Sequence, residues 1–238
     1  MVNIWTFLAH AAGAACPLCA APADGICGHC MDTLPFNRHA CPRCALPLPP
    51  GAPPHSLCGD CQRKPPPFDC AFAALRYEAP VDDLIGGFKY HRRLALGAAL
   101  GDLLAAFVDG ARVGAEPPGL LIPVPASPAR LRERGFNQAA ELARHLSRHL
   151  GIPWSAGLLV RRGTALPQRG LGREQRRRNT LGTLALEAAA PRCVALVDDV
   201  MTTGATAAEA SRMLRGGGAG RVEVWTVART PAGPRAAG

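Results

Sequence analysis

The alternation of apolar and polar positions divides this chain of 238 residues into strand-like and helix-like stretches. Its clearest unit is Val194-Ala-Leu-Val-Asp198-Asp199, an apolar run that follows Pro191-Arg192 and closes on two carboxylates. The chain then passes through Val200 and Met201 to a small hydroxyl-rich turn, Thr202-Thr203-Gly204-Ala205-Thr206. An uninterrupted run of this kind fits a buried parallel strand, and the Ala-rich residues 207–214 fit a helix. Upstream, residues 71–77 alternate as a strand does, residues 81–90 carry helical spacing, and residues 94–108 read as a second, amphipathic helix. Residues 119–125 read as the first parallel strand of a ligand-binding sheet, residues 126–134 as its loop and residues 137–150 as the return helix. Strands alternating with helices predict an α/β domain over residues 70–238, a parallel sheet with helices on both faces.

The residues before it follow a different pattern. Residues 1–15 read as a short N-terminal helix. Its apolar part, from Ile4 to Ala15, has no Lys or Arg before it and reaches Cys16 without a convincing cleavage site, so neither a signal peptide nor a lipoprotein anchor is expected. No run approaches the roughly 18 apolar residues of a spanning helix. The reading is a cytoplasmic protein without membrane insertion. Residues 64–69, opening on Lys64-Pro-Pro-Pro, form a stiff connector.

Residues 16–63 are set apart by cysteine. Eight of the ten cysteines form four Cys-x-x-Cys pairs: Cys16/Cys19, Cys27/Cys30, Cys41/Cys44 and Cys58/Cys61. In a reducing compartment, paired thiols are metal ligands before they are disulfides. Two such knuckles complete a closed tetrahedral site, so the segment predicts a double zinc ribbon with two structural zinc ions. Consecutive pairing gives ribbons over residues 16–30 and 41–61, and crossed pairing uses the same thiols. A Pro- and Gly-rich module of about 60 residues could hardly fold without such staples. Cys70 and Cys193 stand alone at the starts of apolar runs and are expected to be buried hydrophobes. His29, His39 and His55 are expected at the surface.

Charge sharpens the picture of the sheet domain. The net charge is +9, and residues 126–180 hold twelve Arg against Glu133, Glu141 and Glu174, which accounts for all of it: the remainder has fifteen basic and fifteen acidic residues. Only Lys64 and Lys89 are lysines, so the cations are almost all guanidinium groups, suited to bidentate phosphate contact. Arg130, Arg132 and Arg134 lie at the carboxyl end of a strand, either facing a phosphate or forming a solvated turn.

The turn after Asp199 has the chemistry of a phosphate cradle. Gly204 lets the backbone come close, Thr202, Thr203 and Thr206 offer hydroxyls, and the N–H groups opening the next helix are donors without helical partners. Two carboxylates repel a phosphate, so Asp198 and Asp199 should address sugar hydroxyls or a magnesium ion beside it. The whole element resembles the 5-phosphoribosyl-1-pyrophosphate (PRPP) signature of type I phosphoribosyltransferases. That resemblance implies that Asp198 and Asp199 hold the ribose 2- and 3-hydroxyls as the catalytic acids, and that Thr202, Thr203, Gly204, Ala205 and Thr206 take the 5-phosphate.

Further motifs narrow the resemblance. Phe88-Lys89-Tyr90, the strand end Val124-Pro125, Arg134-Gly135-Phe136-Asn137-Gln138, Gln168-x-x-Leu171 and Arg176-x-x-Asn179 precede the PRPP signature in the order that the ComF family has them. By residues alone, Lys89-Tyr90 is also an ordinary helix end with a solvated cation, whereas Gly135 permits an unusual turn and Asn137 can cap a helix. The family's fuller members carry an N-terminal double zinc ribbon, so the resemblance runs from Cys16 to about Arg229. Leu184 departs from it, standing where the family usually has an aromatic residue. The resemblance implies a phosphoribosyltransferase-like fold, magnesium with PRPP, and a link to natural competence and the use of external DNA. Two functions follow from it: transfer of a ribosyl phosphate to a nitrogen nucleophile, or a non-enzymatic DNA-handling role with single-stranded DNA or a DNA-processing protein as partner and PRPP as ligand or regulator. Residues 164–180, polar and Arg-rich, fit a mobile lid or a disordered insertion equally.

Overall fold

The computed structural model describes residues 15–23, 25–90, 94–162 and 184–232. The cysteine-rich segment contributes two short helices, α1 (Gly28–Thr33) and α2 (Gly59–Arg63), each starting directly after a cysteine. Beyond it come β1 (Cys70–Arg76), α3 (Val81–Tyr90), α4 (Leu94–Ala111), β2 (Leu120–Pro123), α5 (Pro128–Arg134) and α6 (Gln138–Leu150). The described chain continues with β3 (Leu159–Arg161), β4 (Leu184–Leu186), β5 (Cys193–Met201), α7 (Ala205–Gly216) and β6 (Arg221–Arg229).

Four strands form a wholly parallel sheet in the order β1-β6-β5-β2. Parallel strands need both faces covered, and helices cover both. α4 and α6 lie against one face, with α3 packed on α4, and α7 lies against the other beside the antiparallel β3–β4 pair. β5 alternates its side chains between the two cores: Ala195 and Val197 join the α4–α6 side, Val194 and Leu196 the α7 side.

The cysteine-rich segment is anchored to this sheet. Phe36 bridges Leu75 antiparallel, the Asn37 N–H donates to the Ala74 carbonyl at 2.9 Å, and the Arg76 N–H donates to the Pro35 carbonyl at 2.9 Å. The proline-rich connector is also fastened, since Arg43 Nη2 donates to the Pro66 carbonyl and Arg215 Nε to the Pro67 carbonyl.

Three expectations change. Residues 126–134 hold a helix, α5, where a loop was predicted: Ser127 caps it by accepting the Arg130 N–H, and Pro128 sits in its first turn. α4 is not one-sided, because Leu96, Ala99, Leu100, Leu103, Leu104 and Ala105 are all buried between α3, α6, β1 and β6. Cys70 and Cys193 are half-buried, not core residues. Burial, with Glu223 nearby, pushes the Cys70 thiol up to about 11. The aromatic-to-Leu departure at Leu184 is absorbed by packing, as this side chain is buried in the α7-side core.

Candidate phosphate-binding turn and cysteine tetrads

β5 carries Asp198 and Asp199 to the carboxyl edge of the sheet, and the turn after it runs into α7. Gly204 lies at φ 74°, the left-handed region, as the residue before the helix. A Cβ there would meet nothing closer than Met201 Sδ at 3.6 Å, so glycine is required by backbone conformation and not by crowding. Thr202 and Thr203 are exposed, and Gly204, Ala205 and Thr206 are half-buried. The Thr203 hydroxyl accepts the Ala205 N–H at 3.3 Å, and the first helical bond is donated by Ala208 to the Gly204 carbonyl. The N–H groups of Thr206 and Ala207 precede that bond and open towards the turn.

The two acids have different surroundings, because successive residues of a strand project to opposite faces. Asp199, buried, meets Lys89 of α3 in an ion pair at 2.9 Å, with side chains 13% and 16% exposed. Its other oxygen accepts the Val200 N–H. The solvated-cation reading of Lys89 therefore fails. Asp198, half-buried, is pushed up from the ordinary carboxylate range to about 7, first by burial and then by the charge of Asp199, against the pull of the Asp199 N–H, Lys89 and Arg130. A sequestered ion pair adds little to stability, because desolvation offsets most of the attraction. Adjacent acids with one raised value mark a candidate site.

The basic helix α5 divides. Arg130 is exposed and near enough to Asp198 to stabilise its charge, and Arg132 is exposed. Arg134 turns inward: its guanidinium stacks 5.0 Å over the Tyr90 ring, Nη2 donates to the Tyr90 hydroxyl at 3.2 Å and Nη1 to Gln138 Oε1 at 3.0 Å. Among the described residues, Arg134 Nε and Gln138 Nε2 are buried donors without an acceptor. Gly135 at φ 81° ends α5, Asn137 caps α6 through the Ala139 N–H and donates to the Val124 carbonyl, and Phe136 packs against Phe88 at 5.6 Å between centroids. Phe88-Lys89-Tyr90, residues 134–138 and the Asp198–Asp199 edge thus form one neighbourhood. Gln168, Arg176, Asn179 and residues 164–180 lie outside the described residues.

The eight cysteines gather into two tetrads, Cys16/Cys19/Cys27/Cys30 and Cys41/Cys44/Cys58/Cys61, so the knuckles pair consecutively. Within each, the sulfur atoms lie within 4.8 Å of one another, with Cys19–Cys27 at 3.5 Å and Cys44–Cys58 at 3.6 Å. A tetrahedral zinc with bonds of about 2.3 Å places sulfurs about 3.8 Å apart, so both tetrads fit the ion. The knuckles repeat one geometry: Ala20 and Ala45, each following the second cysteine, have φ of 59° and 54°, and each donates back to the first cysteine's carbonyl at 2.8 Å. Thiol charges crowd each other here. Burial outweighs its neighbours' hydrogen bonds at Cys44, pushing it up to about 12, and also raises Cys30 and Cys61. Four thiolates in so small a space need a cation. His29, His39 and His55 are exposed, as expected.

Two arginines escaped the pattern reading. Arg161, at the end of β3, is half-buried; burial lowers its value, and Asp198, Glu209 and Arg130 are its charged neighbours. Arg229, closing β6, is 7% exposed and bonds to the start of the turn. Each ends an apolar run, and that was the available signal.

A family model described as "Double zinc ribbon domain" matches residues 11–62. The chain is 36% identical over 222 residues to "DNA utilization protein YhgH" of Escherichia coli O157:H7, covering 90% of this chain and 96% of that protein. It is 34% identical over 209 residues to "Competence protein F" of Haemophilus influenzae, covering 85% of this chain and 84% of that protein. Among solved structures, a purine phosphoribosyltransferase from Pyrococcus horikoshii Ot3 aligns with 59% of this chain and 79% of its own chain, at 19% identity and a TM-score of 0.34, a likeness too slight to carry an argument. Among the described residues, no helix is long and apolar enough to cross a membrane.

Proposed function

The chain belongs to the ComF family, and from that membership we propose that it binds magnesium-PRPP at residues 198–206, holds two structural zinc ions in its tetrads, and serves the use of external DNA. The observation that carries the reading is the edge of β5, where a raised acid and an ion-paired acid adjoin a hydroxyl-lined turn at a helix start. In this reading the 5-phosphate sits on the N–H groups of Thr206 and Ala207 and the hydroxyls of Thr202, Thr203 and Thr206. Asp198 and Asp199 accept from the ribose hydroxyls, and Arg130, with Arg161 beside it, faces the pyrophosphate. Arg134 serves a different part, holding Tyr90 and Gln138 in place. Magnesium would offset pyrophosphate charge.

Transfer of the ribosyl phosphate would break the bond from C1 to the pyrophosphate oxygen and form one from C1 to a nitrogen, with the electron pair leaving on pyrophosphate. The neighbouring carboxylates suit a centre that becomes cationic. The exposed Arg130 and Arg132, within a segment of concentrated positive charge, favour a second reading, in which DNA is bound without chemistry and PRPP regulates it. The discriminating experiment is calorimetric titration of PRPP into the wild type and Asp198→Asn/Asp199→Asn, with magnesium and in magnesium-free buffer, followed by single-stranded DNA. The double variant should lose about 1–3 kcal/mol of binding while keeping two zinc ions by metal analysis. Equal affinities throughout, or no wild-type heat at millimolar PRPP, would refute the assignment. DNA that binds only in the absence of PRPP would place both ligands in one cleft.

A further inference from the structure

Arg229 reaches sideways from the end of β6 to two separate parts of the molecule. Its Nη1 donates to the carbonyls of Met201 at 3.0 Å, Thr202, and Thr230 at 2.9 Å. Its Nε donates to the carbonyl of Cys44 at 3.1 Å. One buried guanidinium thus joins the last residue of β5, the first residue of the phosphate-type turn and a knuckle of the second tetrad.

The geometry makes that joint stiff. A guanidinium is planar with its donors in a fixed fork, so the Cys44 and Thr202 carbonyls cannot move independently without breaking a buried charge-assisted bond. Among the described residues the turn has few other restraints: Thr202 and Thr203 are exposed, and the Thr203 hydroxyl bond to Ala205 is long at 3.3 Å. The knuckle, in turn, is fixed when its thiols hold a metal ion and relaxes when they do not. Ala45, next to Cys44, belongs to the same hydrophobic core as Met201 and Ala207, so the knuckle and the turn share one packing environment. Among the described residues, the first tetrad has no hydrogen bond to the turn. Cys16, Ile26, Cys30, Met31 and Leu34 pack into the core on the opposite face of the sheet.

We propose that Arg229 is a positioning residue that makes metal occupancy of the second tetrad and ligand binding at residues 202–206 mutually dependent, while the first tetrad is indifferent. The inference rests on the magnesium-PRPP reading of the turn. It requires reciprocity: the factor by which the second zinc ion strengthens PRPP binding equals the factor by which PRPP strengthens retention of that ion.

The test uses the full-length, zinc-loaded protein and a chromogenic chelator in equilibrium competition, with and without magnesium-PRPP. One of the two zinc ions should be held about tenfold more tightly with PRPP, within the usual range of coupling between sites, and the other unchanged. Repeating the titration on Cys16→Ser/Cys19→Ser, which lacks the first site, should retain the protected ion. Arg229→Lys keeps the charge but replaces the fork with a single ammonium. It should keep both zinc ions and bind PRPP about tenfold more weakly, with zinc affinity no longer responding to PRPP. A wild type that binds magnesium-PRPP by calorimetry yet shows unchanged affinity for both ions overturns the inference and leaves the reading of the turn standing. Protection of the first-site ion instead also overturns it. A wild type that binds no PRPP overturns both. If Arg229→Lys fails to fold, the wild-type competition decides alone.

Discussion

The two ends of the same sheet carry charged clusters built on opposite terms. Near the amino ends of the strands, Glu223 is fully buried, but its carboxylate meets Arg112 at 2.8 and 3.1 Å, Trp225 Nε1 at 2.9 Å and Arg221 at 3.0 Å. Near the carboxyl ends, Asp198 is held close to half-protonated at neutral pH, and among the described residues Arg134 Nε and Gln138 Nε2 have no acceptor. A network whose donors and acceptors are matched specifies a fold. One with unmatched donors and adjoining like charges costs stability, and is retained where something outside the chain completes it.

The largest test of that contrast is Glu223→Gln. It leaves the buried Arg112 guanidinium without its counter-charge, and urea unfolding should show a loss of about 3–5 kcal/mol. Zinc content and the PRPP affinity of the folded protein should not change. A variant of unaltered stability would mean that the amino-end network is not the structural one.

At the other end the sign should reverse. Asp198→Asn removes a carboxylate whose charge is disfavoured by burial and by Asp199, so the unliganded protein should gain about 1–3 kcal/mol at about pH 8. Asp198 has its value raised from 3.8 to about 7 on folding, so it favours the folded state fully below about pH 4, and that contribution is lost as pH rises through 7. The advantage of the variant should therefore be near zero in acid and grow between those limits. A variant less stable than the wild type at every pH would place Asp198 with Glu223 as a structural acid. Smaller again, Gly204→Ala should lose about 1–2 kcal/mol from its left-handed backbone alone, measured by thermal unfolding, since the added methyl has room.

The same contrast explains what could be read from the sequence. β5 and its turn were legible because an apolar run, two acids and a glycine turn are all local in the chain. The tetrads were legible because a knuckle is four residues long, although only the fold pairs Cys16/Cys19 with Cys27/Cys30. β6 was not, despite being central in the sheet, because Arg221 and Glu223 interrupt the apolar run expected of a strand buried on both faces. Glu223 becomes acceptable in a buried strand only through Arg112, which lies 111 residues away in sequence. Arg134 looked like one of three equivalent cations; helix α5 and the Tyr90 ring separate it from Arg130 and Arg132. Arg229 carried no motif at all, since its partners are carbonyls and carbonyls have no sequence signature.

The finest test separates the two ends by protons. Near pH 6, below the folded value of about 7, most Asp198 carries a proton that must leave before the carboxylate can accept from a ribose hydroxyl or approach a magnesium ion. Binding of magnesium-PRPP should then release a fraction of a proton per site, and affinity should fall by up to about tenfold per pH unit below that value. Calorimetry in two buffers of different ionisation enthalpy reads the proton directly, as the difference in heat at matched pH. The ligand's own phosphate also titrates near pH 6, so the comparison is with Asp198→Asn, in which that contribution remains and the carboxylate's is gone. The wild type should release more than the variant near pH 6 and the same above about pH 8, while Glu223→Gln should follow the wild type throughout. Identical proton release in wild type and Asp198→Asn near pH 6 would mean that ligand binding does not draw on the strained end of the sheet.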